Sequence, residues 1–112
     1  MKYEVIGASS YNSDNVYETS YSIVNHKLEY GGLQKHIVYI TTNNITTQFY
    51  VERDDITRYD NKFYKLAIEQ VVYEGCKHHE SRVDSNYKVE PNIINNLIND
   101  IYSDYIISKI LY

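Results

Sequence analysis

Residues 37–51 read IVYITTNNITTQFYV. Two runs rich in β-branched and aromatic residues flank Asn43-Asn44. Such runs favour strands, and asparagine tolerates the positive φ that a two-residue hairpin turn requires. The stretch therefore predicts a β-hairpin with a type I′ turn at Asn43-Asn44. A two-residue turn sets the register, and register sorts side chains onto two faces. Thr42 opposes Ile45, Ile40 opposes Thr47, Val38 opposes Phe49 and His36 opposes Val51, which makes a mostly apolar face for the core. His36 on that face reads as a buried core histidine. The other face pairs Thr41 with Thr46, Tyr39 with Gln48, Ile37 with Tyr50, and Lys35 with Glu52 as a cross-strand ion pair. This second face is polar but carries Ile37, Tyr39 and Tyr50.

Upstream of the hairpin, Val16 to Val24 alternates in polarity and reads as a strand. Asn25-His26-Lys27 reads as a turn into a short run, Leu28-Glu29-Tyr30, and Gly31-Gly32 as a turn into the Leu33 strand. Lys2 to Gly7 makes a further strand, and Ala8 to Asn15 is a polar loop by composition. Downstream the spacing becomes helical. Phe63, Tyr64, Ala67, Ile68, Val71 and Val72 share one face. Thr57 or Asp60 is placed to cap the start, and Gly75 to end the helix in the left-handed conformation. Cys76 to Glu90 reads as a polar connector. Pro91 suits a first helical position. From Ile93 to Ile110, apolar residues recur in pairs every four residues, a stripe that wraps around its helix. The expected fold is α+β in one domain spanning 1–112. An N-terminal antiparallel meander sheet of four or five strands covers about 2–53. Two C-terminal helices, at about 58–75 and 91–110, pack on one face.

The chain has 112 residues, 43% of them hydrophobic, which suits one modest core. Its formal charge is -4, and its arginines are only Arg53, Arg58 and Arg82. Nucleic-acid binding draws on basic patches, and none is visible, so no direct nucleic-acid partner is expected. No run reaches the length of a membrane span, and the N-terminus lacks a signal-peptide pattern. With a single cysteine, Cys76, a reducing, cytoplasmic setting is expected. Tyrosine is abundant, at 14 residues. Isoleucine and asparagine are also abundant, and lysine exceeds arginine, as AT-rich codon usage would give in a low-GC bacterium or its phage.

One segment looks chemical. Gly75 to Glu80 reads GCKHHE. Cys76, His78, His79 and Glu80 are metal-ligating types, but adjacent histidines point apart and no CxxC or HxxxH spacing is present. The alternative is a helix end, where Lys77, His78 and His79 meet the negative pole of the helix dipole. Thiol catalysis would need an orienting group and an oxyanion site that no motif marks. Glu52 to Asn61 is acidic but lacks the glycine and spacing of a calcium loop. No metal and no cofactor is therefore expected, and the chain reads as no enzyme.

Three function classes follow. The first is a small non-enzymatic binding protein acting through a Tyr/Ile-rich surface of Ile37, Tyr39, Gln48, Tyr50, Tyr102 and Tyr105. Its concrete form is a phage- or mobile-element-encoded inhibitor that blocks a host protein or complex sterically, of the anti-defence or anti-CRISPR type. Tyrosine enrichment in interfaces also favours a homo-oligomer. The second is an oligomeric small-ligand or nucleotide-sequestering protein, with Arg53, Arg58 or Arg82 on phosphates. The third is a small metal- or thiol-dependent enzyme using Cys76, His78 and His79.

Overall fold

The computed structural model describes residues 2–12, 17–28, 32–52 and 63–111. Four strands come first: β1 (Lys2–Asn12), β2 (Glu18–Leu28), β3 (Gly32–Thr42) and β4 (Ile45–Glu52). Two helices follow, α1 (Tyr64–Val83) and α2 (Pro91–Leu111). The strands form one antiparallel sheet in sequence order, β1-β2-β3-β4. The α+β meander with two C-terminal helices is thus the observed fold. No helix among the described residues is long and apolar enough to cross a membrane.

The hairpin register matches the expected one at every pair, from Thr42 opposite Ile45 to Lys35 opposite Glu52. In the turn, only Asn43 has positive φ, at 55°. A type I′ turn requires it at both central residues. Asn43 is held instead by its neighbour strand: its N–H donates to the Glu18 carbonyl at 2.9 Å, and its Oδ1 accepts from the Glu18 N–H at 3.1 Å. The turn conformation answers to β2 as well as to its own two residues.

Three boundaries differ from the sequence reading. Asn25-His26-Lys27 is no turn; β2 runs straight through it, paired with β1 on one side and β3 on the other. This gives four strands among the described residues, within the expected four or five; Glu29 to Gly31 lie outside them. Ala8 to Asn12 belongs to β1, because each of these residues finds a partner on β2. Ladder hydrogen bonds override the turn-like composition in both places.

The third difference is the largest. Gly75 does not end α1; the helix continues for eight further residues to Val83. A Cβ on Gly75 would lie 2.5 Å from Phe49 Cδ1. The glycine is there so that α1 can approach β4 closely, which a C-terminal cap reading misses. The true stop is at Asp84, in extended conformation, whose N–H still reaches the Glu80 carbonyl. Its Oδ1 then accepts from the Asn86 N–H at 3.0 Å, closing an Asx turn. Phe63 stands at the N-cap of α1 without a side-chain cap; the proposed caps Thr57 and Asp60 lie outside the described residues. Pro91 takes the first position of α2 as its missing N–H allows.

Both helices cover one face of the sheet. The core joins Tyr21 and Ile23 of β2, Val38 and Ile40 of β3, and Val51 of β4 to Ile68, Val72 and Cys76 of α1 and to Ile93, Leu97, Ile98 and Ile101 of α2.

Candidate functional site

The other face of the sheet carries no element among the described residues. By register it presents Tyr3 and Val5 of β1, Val24 and His26 of β2, Lys35, Ile37 and Tyr39 of β3, and Thr46, Gln48 and Tyr50 of β4. Tyr3 is 60% exposed, Val5 67% and Tyr50 46%. These are large apolar groups left in water at a cost of about 25 cal/mol per Å² of apolar surface. The tyrosines are ordered by local contacts. Tyr3 stacks on His26 with ring centroids 5.1 Å apart and planes within 4°. Gln48 Nε2 donates to Tyr50 Oη at 2.6 Å, and Lys35 Nζ lies 4.6 Å from the Tyr50 ring centroid. Thr41 and Thr46 hydroxyls bond across the strands at 2.8 Å. Rings held this way lose little further freedom on docking against a surface.

Of the six residues expected to form a binding surface, four share this face: Ile37, Tyr39, Gln48 and Tyr50. Ile37 is only 8% exposed, so it is bedded beneath its neighbours. Tyr102 and Tyr105 are on α2, across the sheet. Tyr102 is half-buried against the core. Tyr105 is a core residue, 6% exposed, with its Oη donating to the Val51 carbonyl at 2.7 Å and its ring edge-on to His36 at 4.5 Å. The helix stripe turns Tyr105 inward together with Ile101. Tyr3 and Val5, on the contrary, were missed. The β1–β2 register needed to place them has no compact turn signal in the sequence.

The GCKHHE segment is divided by the helix it lies in. Cys76 and His79 are buried against the sheet, whereas Lys77 and His78 are exposed. Glu80 accepts from the Val89 N–H at 2.8 Å and lies 3.8 Å from Lys88. The four candidate ligands are not brought together, and no cluster of three metal-ligating groups occurs among the described residues. Burial, with the Glu80 carboxylate adding to it, pushes the Cys76 thiol up to about 12, far from a nucleophile's range. Arg82 donates through Nη1 to the Thr46 carbonyl at 2.6 Å and to Thr47 Oγ1 at 2.8 Å. Arg53 and Arg58 lie outside the described residues.

His79 is the centre of a buried network that sequence reasoning did not find. Its Nδ1 meets Thr47 Oγ1 at 2.6 Å and its Nε2 meets Thr42 Oγ1 at 2.8 Å. Thr42 Oγ1 donates to Tyr87 Oη at 3.0 Å, and Thr19 Oγ1 bonds to both, at 2.9 and 2.6 Å. The donor count orders the protons. Thr42 spends its one hydrogen on Tyr87, so it accepts from Thr19 and from His79. His79 therefore carries its hydrogen on Nε2, and Nδ1 accepts from Thr47, which accepts from Arg82. Every member is satisfied with His79 neutral. Burial, with the Arg82 and His78 charges behind it, lowers its pKa to about 4.

A second buried cluster is less complete. His36 Nε2 bonds to Asp104 Oδ2 at 3.0 Å. Asn25, its register partner on β2, is fully buried like His36. Asn25 Oδ1 and Nδ2 and His36 Nδ1 have no hydrogen-bond partner among the described residues. Nearby on α2, Asp100 accepts from Tyr21 Oη at 2.8 Å.

The chain matches no family model, no curated protein and no solved structure.

Proposed function

We propose that this chain is a small non-enzymatic binding protein that acts by laying the open face of its sheet on a protein partner. One observation carries the reading: both helices stack on one side of a four-stranded sheet, and the other side exposes Tyr3, Val5 and Tyr50. Tyrosine supplies large contact area with a hydroxyl at its tip, which suits the centre of an interface. The net charge of -4 directs encounter toward basic surfaces. In its concrete form the protein is a cytoplasmic inhibitor from a phage or mobile element that blocks a host factor, of the anti-defence or anti-CRISPR kind. The mechanism is steric occupation, with no chemistry at the chain's own residues.

The test is capture from a host lysate with the wild-type chain, followed by affinity measurement on the purified target. Val5→Glu and Tyr50→Glu place a charge at exposed positions on the two edge strands of the face. Each should leave the thermal midpoint unchanged and weaken binding at least about tenfold, the loss of one interface anchor. A target whose affinity is indifferent to both variants would overturn the reading.

Small-ligand binding keeps one observation in its favour: the unpartnered polar atoms of Asn25 and His36. Mass spectrometry of the denatured, purified chain decides it. A stoichiometric nucleotide or other small polar molecule, lost on changing Asn25 to Val, would support this second reading.

A further inference from the structure

A meander sheet has two edges, and this one treats them differently. β1 is interrupted by a bulge, where the register with β2 slips between Val5 and Gly7. Bulges and covering elements are the usual means by which an edge is kept from pairing. β4 has neither. Its ladder with β3 is regular over all eight residues.

Which groups of β4 face outward follows from the turn. Thr42 and Ile45 flank a two-residue turn and form a hydrogen-bonded pair, so residues 45, 47, 49 and 51 spend their N–H and C=O groups on β3. Thr46, Gln48, Tyr50 and Glu52 point theirs away from the sheet. Arg82 already takes the Thr46 carbonyl at 2.6 Å. The outward groups of Gln48, Tyr50 and Glu52 have no backbone partner among the described residues. Among the described residues the open part of this edge is therefore Gln48 to Glu52, and its centre is Tyr50.

We propose that β4 pairs antiparallel with β4 of a second copy of this chain, about a two-fold axis at Tyr50, joining two sheets into one of eight strands. The symmetric register opposes Tyr50 to the partner's Tyr50, and Gln48 to the partner's Glu52. An amide then faces a carboxylate twice, with no like charges opposed. Gln48 gives one N–H to Tyr50 Oη and keeps a second to give across the interface. A register centred on Gln48 would require Thr46 to pair and Arg82 to withdraw. The register is self-complementary, and its centre, Tyr50, also belongs to the open face, so Val5→Glu on the far edge strand tests the face alone. The two open faces would become one continuous surface.

Light scattering across a concentration series is expected to show a species of twice the 13.3 kDa chain mass. Gln48→Glu opposes like charges twice and should weaken the dimer about tenfold. Adding Glu52→Lys should restore it. Both side chains are exposed, but Glu52 stands opposite Lys35 on β3, so the thermal midpoint of each variant is measured alongside. Gln48→Pro removes an outward N–H without touching the β3 ladder and should give a monomer; Glu52→Pro serves the same purpose if that variant does not fold. Oxidised Tyr50→Cys should cross-link, since Cα atoms of a hydrogen-bonded pair lie about 5.5 Å apart, within disulfide reach. Gln48→Cys alone should not cross-link. A wild-type monomer at every concentration, a dimer unmoved by both proline variants, or equal cross-linking at 48 and 50 would overturn the proposal.

Discussion

The ring of Phe49 stands where a side chain on Gly75 would have to go, its Cδ1, Cε1 and Cγ atoms 2.5, 2.6 and 2.7 Å from the Cβ position. No real Cβ tolerates three carbons at that range, so α1 sits as close to β4 as it does only because residue 75 has none. The same closeness brings Cys76 and His79 down onto the sheet.

Gly75→Ala therefore has two opposed effects. Alanine favours a helix interior over glycine by about 1 kcal/mol. The clash with Phe49 costs about 1–3 kcal/mol, as overpacking does. Urea denaturation should show a net loss of stability. Combining it with Phe49→Leu, which empties the space beside the new methyl, should recover part of that loss. A Gly75→Ala chain more stable than wild type would mean that the ring swings aside freely.

His79 makes stability depend on pH in a defined window. Its pKa in the folded chain is about 4, against 6.5 when unfolded. Below 6.5 the unfolded chain takes up a proton that the folded chain refuses, so the unfolded state gains. The contribution of His79 is present in full above pH 6.5. It is lost progressively as pH falls, and levels off below about 4. Protonation would also set an Nδ1–H against Thr47 Oγ1, which already accepts from Arg82. Ring-proton NMR of His79 should show a midpoint near 4, with the urea midpoint falling across the same window. A midpoint at 6.5 would show that the network opens to water.

Asn25 carries two polar atoms with no partner among the described residues, in a fully buried side chain. An unsatisfied buried group costs about 1–3 kcal/mol, whereas an apolar group of similar shape avoids that cost. Asn25→Val should raise the urea midpoint, gaining about 1 kcal/mol. Valine also suits β2, where residue 25 is paired on both sides. A loss of stability would instead show that the amide is engaged by a bound molecule or by water.

The hairpin was readable because its information is local. Asn43-Asn44 sets the register, and the register alone separates Val38 and Ile40 from Tyr39 and Tyr50. The four-residue spacing of Ile93 to Ile110 likewise gave α2 nearly to the residue. What escaped depends on contacts between distant segments. Gly75 carries the signature of a helix end, and only the Phe49 ring across the interface reveals its other use. Asn25 to Lys27 has turn composition, but pairing on two sides holds it extended. His79 looked like a cation at a helix terminus because its partners, Thr42, Thr47 and Tyr87, come from two strands and the connector before α2. Half of the candidate face was visible from one hairpin. The half contributed by Tyr3 and Val5 needed the β1–β2 register, which no turn motif announces.

The strand order β1-β2-β3-β4 has a kinetic consequence. Every ladder joins strands adjacent in the chain, so the sheet assembles from local hairpins with small loop-closure costs. The helices are bound differently: Tyr21 to Asp100 spans 79 residues and His36 to Asp104 spans 68. The late, rate-limiting event in folding is then the docking of α2 onto a sheet already in register. Substitutions at the Asn43 turn should slow folding, and those at Asp100 or Asp104 should chiefly speed unfolding.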